Sequence, residues 1–386
     1  MVMPSFRFAK TSFPSAAAEL REQVRQFVTE QEACGSFVCG PGSWTRFDAD
    51  MSAKIGAQGW IGMTWPKRYG GHERSALERY VVTEELLAAG VPLRAHYSAD
   101  RQIGPLILQF GNEEQRRRLL PLIAAGKCAC AIGLSEPDSG SDLAAMRTRA
   151  TRVDGGWRVE GRKMWIGHAH KAQILNLFLR TSSTEESRHS GISRFLIDMS
   201  WPGITVRPII NLHGDHDYNE VVFDDLFVPD NMVVGEIGQA WSQLGSDLAY
   251  ERSAPDRWLG AFETLKCMID ELARRPGPRQ EEACGRLVAH LWTFREMSLS
   301  IAGMLERGQL PNVEAAVVKD LGTAFDQEIP NVARSLFSES MRADLDDDNL
   351  FEAVLDYDLL YAPSLSIKGG TREMLRNAIA RGLGLR

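Results

Sequence analysis

The densest concentration of polar chemistry in the sequence is the run Ile132-Gly133-Leu134-Ser135-Glu136-Pro137-Asp138-Ser139-Gly140-Ser141-Asp142. Hydroxyls, glycines and carboxylates packed this closely offer many backbone N–H groups and small side chains to a polar ligand, although a plain turn-rich loop has the same composition. A second candidate is Glu251. If Trp241, Leu244, Leu248, Leu259 and Phe262 form one buried stripe, Glu251 lies on it, three residues after Leu248 and seven after Leu244. A carboxylate on an apolar face is costly unless it lines a cavity or meets a partner, and burial there raises its pKa toward the range of a general base. The competing reading pairs it with Arg252 or Arg257 as a helix strut. Pro255 has no N–H for the carbonyl of Glu251, which predicts a local kink. His168 and His170, without Cys or carboxylate partners, do not make a zinc site, and no metal is expected.

Bulk properties narrow the class. The net charge of −7 and the shortness of the single basic run, Arg116 to Arg118, argue against nucleic-acid binding, which needs clustered cations. Cys34, Cys39, Cys128, Cys130, Cys267 and Cys284 include no paired CxxC blocks, as expected of reduced thiols in a soluble cytoplasmic protein. No apolar run reaches the roughly 18 residues that span a bilayer, so no membrane association is expected.

The elements that must position these residues follow from periodicity. Leu20, Val24, Phe27 and Val28 recur at helical spacing within Ala16 to Gln31, and similar patterns cover Phe47 to Gln58, Ser75 to Ala89 and Glu113 to Ala125. After Cys128 short β-branched runs take over: Thr151 to Val153, Trp157 to Glu160, Ile174 to Arg180, Ser193 to Asp198 and Glu220 to Val228. Asp154-Gly155-Gly156 between two of them is a hairpin signal. Helical spacing returns from Gly238, broken by Pro276-Gly277-Pro278. The order α, β, α excludes a doubly wound fold of alternating strands and helices. We therefore expect an α+β chain with an N-terminal helical domain (1–128), a middle antiparallel β domain, barrel-like (129–236), and a C-terminal helical domain (237–386).

Several stretches together resemble one family. The Ile132–Asp142 loop is similar to the signature of acyl-CoA dehydrogenases. Gly161-Arg162-Lys163-Met164-Trp165-Ile166, the pair Glu251-Arg252, and Ile367-Lys368-Gly369-Gly370-Thr371-Arg372-Glu373-Met374-Leu375-Arg376-Asn377 follow in the family's order. Gly59-Trp60 and Trp65-Pro66-Lys67-Arg68-Tyr69-Gly70-Gly71 also look like this family. The resemblance implies a helical, β and four-helix-bundle architecture holding FAD. Ile132, Leu134, Ser135, Trp165, Ile166 and Gly167 would meet the isoalloxazine, and Thr371 and Glu373 its phosphate or ribose groups. Ser141, Arg252 and Gly369 would face the acyl-CoA. For Trp165 alone, a core tryptophan beside a strand is the plainer reading. The implied reaction is α,β-dehydrogenation of an acyl-CoA thioester: a carboxylate base removes the α proton, donors stabilise the enolate oxygen, and the flavin takes the β hydride and passes electrons to an electron-transfer flavoprotein.

The sequence departs from the family pattern at three places. Gly369 stands where many members carry the catalytic glutamate, which leaves Glu251 of the Glu251-Arg252 pair as the expected base. Gly167 stands where a Thr or Ser hydroxyl reaches the flavin edge. The segments that reach a neighbouring subunit's FAD have no counterpart, and Asp344, Asp346, Asp347 and Asp348 occupy that region. These departures resemble the branch that handles bulky acyl-CoAs such as steroid side chains, some of which assemble from two different chains. A homo- or hetero-oligomer, dimer or tetramer, is expected. The alternative function is a non-catalytic subunit completing a partner's flavin site, and a flavin oxidase or monooxygenase is a third.

Overall fold

The computed structural model describes residues 7–182, 188–243, 254–274, 276–337 and 349–385. The chain is an N-terminal set of helices, a middle sheet and a C-terminal set of helices, in that sequence order. It divides into two compact units, one built from Met1–Arg46, Ser75–Pro92 and Ala249–Arg386, the other from Phe47–Arg74 and Leu93–Leu248.

The first unit is helical. Helix α1 (Ala16–Ala33) buries Leu20, Val24, Phe27 and Val28, the stripe read from the sequence. Two short helices of the other unit and sequence neighbours of α1 are α2 (Ala49–Ala57) and, after α3 (Ala76–Ala88), α4 (Arg94–Ser98). Helix α3 starts at a reciprocal cap: the Ser75 hydroxyl accepts from Glu78 N at 3.0 Å and the Glu78 carboxylate accepts from Ser75 N at 2.9 Å. Satisfying two otherwise orphaned donors in this way stabilises a helix start by about 1 kcal/mol. The α4 helix runs through a π turn (Ala99–Ile103) into α5 (Gly104–Phe110), and α6 (Glu113–Ala124) follows. The C-terminal helices are α7 (Phe262–Arg274), α8 (Pro278–Glu306), α9 (Asn312–Leu336), α10 (Leu350–Leu365) and α11 (Arg372–Gly382).

Three chain segments meet at one carboxylate in this unit. Glu84 on α3 accepts from Arg21 Nη2 of α1 at 3.1 Å and from Arg295 Nε of α8 at 2.7 Å. The group is almost wholly buried, and only such bidentate pairing makes a carboxylate tolerable there.

The second unit is organised on an eight-stranded sheet in the order β6-β7-β3-β2-β4-β5-β8, with β1 beside β4. The strands are β1 (Cys130–Gly133), β2 (Arg149–Val153), β3 (Gly156–Gly167), β4 (Ile174–Arg180), β5 (Ile192–Asp198), β6 (Ile204–Ile209), β7 (Tyr218–Pro229) and β8 (Val233–Val234). The β2–β3 hairpin turns at Asp154-Gly155, where Gly155 has φ 73°. Most pairings are antiparallel, but β1 runs parallel to β4 and Arg149 of β2 pairs with Arg180 in the same sense. The middle sheet is therefore mixed. Central strand β4 is buried on both faces, and Gly161 is required where β3 passes Thr148, since a Cβ there would lie 2.7 Å from its Cα.

The helix-to-helix stripe drawn through Leu259 and Phe262 needs correction. Pro255 opens a single 3-10 turn (Pro255–Arg257), the chain is not helical again until Phe262, and Leu259 is buried outside any helix. Residues 244–253, where the Pro255 kink beside Glu251 is expected, lie outside the described residues.

Candidate active site

In the sheet unit, the Ile132–Asp142 loop is held by β3 from beneath. The fully buried Lys163 ammonium donates to Glu136 Oε1 at 2.8 Å and to the Leu134 carbonyl at 2.9 Å. Met164 N donates to the Ser135 carbonyl at 2.9 Å. Glu136 also accepts from Arg147 N at 2.6 Å and Thr148 N at 2.9 Å. Burial pushes the Glu136 carboxyl up, but the Lys163 charge and these donors outweigh it and hold it below the ordinary range. Burial holds Lys163 down to about 8 despite its carboxylate partner. Two carbonyls of the loop are thus turned inward, and Ile132, Leu134 and Ser135 stay half-buried, with Ser141 exposed.

The end of β3 supplies the most unusual geometry. The β3–β7 register slips between Lys163 and Ile166, and within that bulge Trp165 adopts φ 60°. A left-handed backbone costs a non-glycine residue about 1–2 kcal/mol. The indole is not repaid by burial: it is 58% exposed, touching Tyr218 edge-on at 6.3 Å between centroids. The plainer reading of Trp165 as a core residue is therefore corrected. The bulge points a large aromatic surface outward, an arrangement that fits a ligand-facing role.

Behind the bulge Ile166 is buried, and its carbonyl accepts from Asn219 Nδ2 at 3.0 Å. Asn219, fully buried, also accepts at Oδ1 from His216 Nε2 at 2.7 Å and pairs with His170 Nδ1 at 3.2 Å. The two imidazoles stack at 3.8 Å. Burial, then the charge a protonated His216 would place beside it, pushes the His170 pKa down. This clamp fixes the peptide plane that carries the N–H of Gly167. Gly167 itself is half-buried, and Arg94 Nη2 lies 3.2 Å from the point a Cβ would occupy.

In the helical unit, Gly369 (φ 62°) and Gly370 (φ 96°) form a left-handed turn before α11. The buried Lys319 ammonium of α9 donates to the Lys368 carbonyl and, at 3.2 Å, to that of Gly370. Asp320 accepts from Arg372 Nε at 2.7 Å and Arg376 Nε at 3.2 Å. Thr371 caps α11, its hydroxyl accepting from Met374 N at 3.4 Å, and Glu373 is exposed in the first turn. Backbone and Thr371 hydrogen bonds hold the Glu373 carboxyl below its ordinary value. A groove of about 780 Å³ between α9 and α10, lined by Pro330, Arg334, Leu359 and Leu360 among others, contains none of the residues singled out from the sequence.

The structure thus brings together Ile132, Leu134, Ser135, Trp165, Ile166 and Gly167 in one unit, and Gly369, Thr371 and Glu373 in the other. Glu251 and Arg252, and the acidic run Asp344 to Asp348, lie outside the described residues. Sequence reading missed Arg94, Asn219 and His216, whose roles depend on contacts between distant segments.

Comparison with known proteins bears directly on this arrangement. Residues 15–127 match the family model "Acyl-CoA dehydrogenase, N-terminal domain" and residues 131–226 match "Acyl-CoA dehydrogenase, middle domain". The chain belongs to the acyl-CoA dehydrogenase family. It is 30% identical to acyl-CoA dehydrogenase IpdE1 of Mycobacterium tuberculosis (strain ATCC 25618 / H37Rv), over 95% of this chain and 97% of that protein. It is 34% identical to acyl-CoA dehydrogenase FadE34 of the same strain over 83% of this chain, which spans only 44% of that longer relative. Among solved structures, one titled "Tcur3481-Tcur3483 steroid ACAD" superposes with a TM-score of 0.85 at 26% identity, covering 97% of this chain and 99% of that one. Among the described residues of this family member, no helix is long and apolar enough to cross a membrane.

Proposed function

We propose that the protein is an FAD-dependent acyl-CoA dehydrogenase that converts an acyl-CoA thioester to the 2-enoyl-CoA and passes the electrons to an electron-transfer flavoprotein. The observation that carries this reading is Trp165: a tryptophan held out of the sheet by a strained bulge, beside a glycine whose peptide plane is clamped from behind. The residues present suit a flavin. Trp165 offers a flat apolar surface, Gly167 a backbone N–H free of its own side chain, and Ile132, Leu134 and Ser135 a half-buried rim. Thr371 and the first turn of α11 would approach the phosphate or ribose end, with Glu373 suited to ribose hydroxyls rather than to phosphate.

When bound, FAD supplies the acceptor for the β hydride. The chain's own task is to make the α proton leave. Glu251 takes it onto its carboxylate, Arg252 accompanies it at the substrate, and the N–H of Gly369 meets the thioester oxygen where negative charge develops. Gly369 carries no side chain that could abstract a proton, so Glu251 has no competitor at that position. The relative titled as a steroid enzyme supports a bulky acyl chain as substrate class, and its two-chain title supports a hetero-oligomer. In such an assembly this chain could instead complete a partner's site.

The test uses protein purified with bound FAD, a panel of straight, branched and steroid-chain acyl-CoAs, and a dye acceptor. Turnover is expected with at least one bulky thioester, and Glu251→Gln should lower kcat by at least about 10²-fold, the lower end of general-base effects. A chain that is yellow only when mixed with a second polypeptide, and whose Glu251→Gln variant leaves the rate unchanged, points to the completing-subunit role.

A further inference from the structure

Arg94 opens helix α4 with its guanidinium turned to the end of β3. Three observations define its surroundings. Its Nη2 stands 3.2 Å from where a Cβ on Gly167 would be, closer than most side chains approach, so a side chain at 167 would press on the cation and require it to shift. It lies 6.0 Å over the Tyr97 ring and close enough to Tyr218, the register partner of Gly167, to oppose the rise that burial gives the phenol pKa. Among the described residues it makes no ion pair and no hydrogen bond, although it is only half exposed to water. A half-buried guanidinium bounded by aromatic rings, and paired with no carboxylate among the described residues, has donors to offer a ligand. The ligand surface beside it is the exposed Trp165 and the Gly167 peptide.

We propose that Arg94 is a positioning residue for the flavin: it occupies the volume left empty at position 167 and donates to the electron-rich carbonyl and nitrogen edge of the isoalloxazine. This rests on the flavin site argued above. A fixed positive charge at that edge favours the reduced, more electron-rich ring over the oxidised one, and a charged donor adds to affinity in both states. A hydroxyl side chain at position 167 would crowd this donor, which arrives from another segment.

The test compares the wild type with Arg94→Gln, Arg94→Lys, Gly167→Thr and Arg94→Gln/Gly167→Thr. FAD affinity of the apoprotein is read by titration, the midpoint potential of the bound flavin by equilibration with reference dyes, and apoprotein stability by denaturant unfolding. Arg94→Gln should weaken FAD roughly tenfold or more. It should also shift the oxidised-to-reduced ratio at fixed poise about tenfold, a fall near 30 mV for a two-electron couple. Apoprotein stability should stay close to that of the wild type, which a merely structural arginine would not allow. Arg94→Lys should keep most of the potential. Gly167→Thr should recover affinity in the Arg94→Gln background and lose it in the wild-type background. Unchanged affinity and potential in Arg94→Gln overturn the inference, and if KM for the thioester rises instead, the cation serves the acyl chain. Equal effects of Gly167→Thr in both backgrounds also overturn it. A wild-type chain that takes up no FAD, alone or with a partner chain, refutes the flavin site itself, an outcome distinct from these.

Discussion

Replacing Trp165 with glycine separates what the bulge does for the fold from what it does for a ligand. The indole surface is on the order of 200 Å². With 58% exposed, it already covers roughly 80 Å², worth about 2 kcal/mol at ~25 cal/mol per Å². Glycine adopts the observed φ of 60° without a Cβ clash, recovering about 1–2 kcal/mol, and loses roughly 0.5–1 kcal/mol to added chain entropy. The net loss in the apoprotein is about 1 kcal/mol. By contrast Trp157, 8% exposed, should cost about 3–5 kcal/mol on truncation to alanine. Flavin covering the rest of the Trp165 surface, on the order of 100 Å², contributes about 2–3 kcal/mol, so the FAD Kd should rise roughly 30- to 150-fold. Urea unfolding of the apoproteins and FAD titration measure both. Destabilisation as large as that of Trp157→Ala, or an unaltered Kd, would show that the indole serves the fold and that the strain argument is wrong.

Further expectations concern buried charge. Lys163→Met leaves Glu136 ionised without its cation and should destabilise by about 3–5 kcal/mol, while Lys163→Met/Glu136→Gln should recover part of that loss in the same unfolding assay. In the helical unit, burial raises the Asp358 carboxyl to about 7 and Asp326 well above its ordinary value. The folded state therefore holds protons that the unfolded chain releases from about pH 4 upward; the stability they contribute is full below that pH and declines as pH rises through about 7. Thermal unfolding of the apoprotein should show Tm falling between pH 5 and 8 on this account, a slope that Asp326→Asn/Asp358→Asn flattens (on the order of one proton per titrating group). A double variant with the wild-type slope counts against the burial argument.

What the sequence made legible was whatever depends on local pattern. Helix α1, strand β4 and the Asp154-Gly155 hairpin appear where 3.6-residue spacing, a short apolar run and a turn dipeptide placed them. The stretch from Arg94 to Phe110 was not read as structure, because short helices joined by a π turn and a Gly-Pro start carry no sustained period. The parallel pairing of β1 with β4 is equally silent in sequence, since its partners are separated by the whole β2–β3 hairpin. At the site, motif spacing identified Trp165 and Gly167, but no one-dimensional signal could reveal the left-handed bulge. The same holds for Asn219 holding Ile166, and for Arg94 arriving from another segment. The stripe through Leu259 failed because a buried apolar residue after Pro255 looks the same in sequence whether helical or not.

The three-segment construction of the helical unit dictates an order of assembly on the ribosome. All of Phe47–Leu248 is available before Ala249–Arg386 is made, whereas α1 and α3 must await α8 before Glu84 meets Arg295. At ~5–20 residues per second the wait is on the order of ten to forty seconds. During that interval the apolar stripes of two nascent helices face water without their final cover, so chaperone demand should fall on the amino-terminal segment of the growing chain rather than on the sheet.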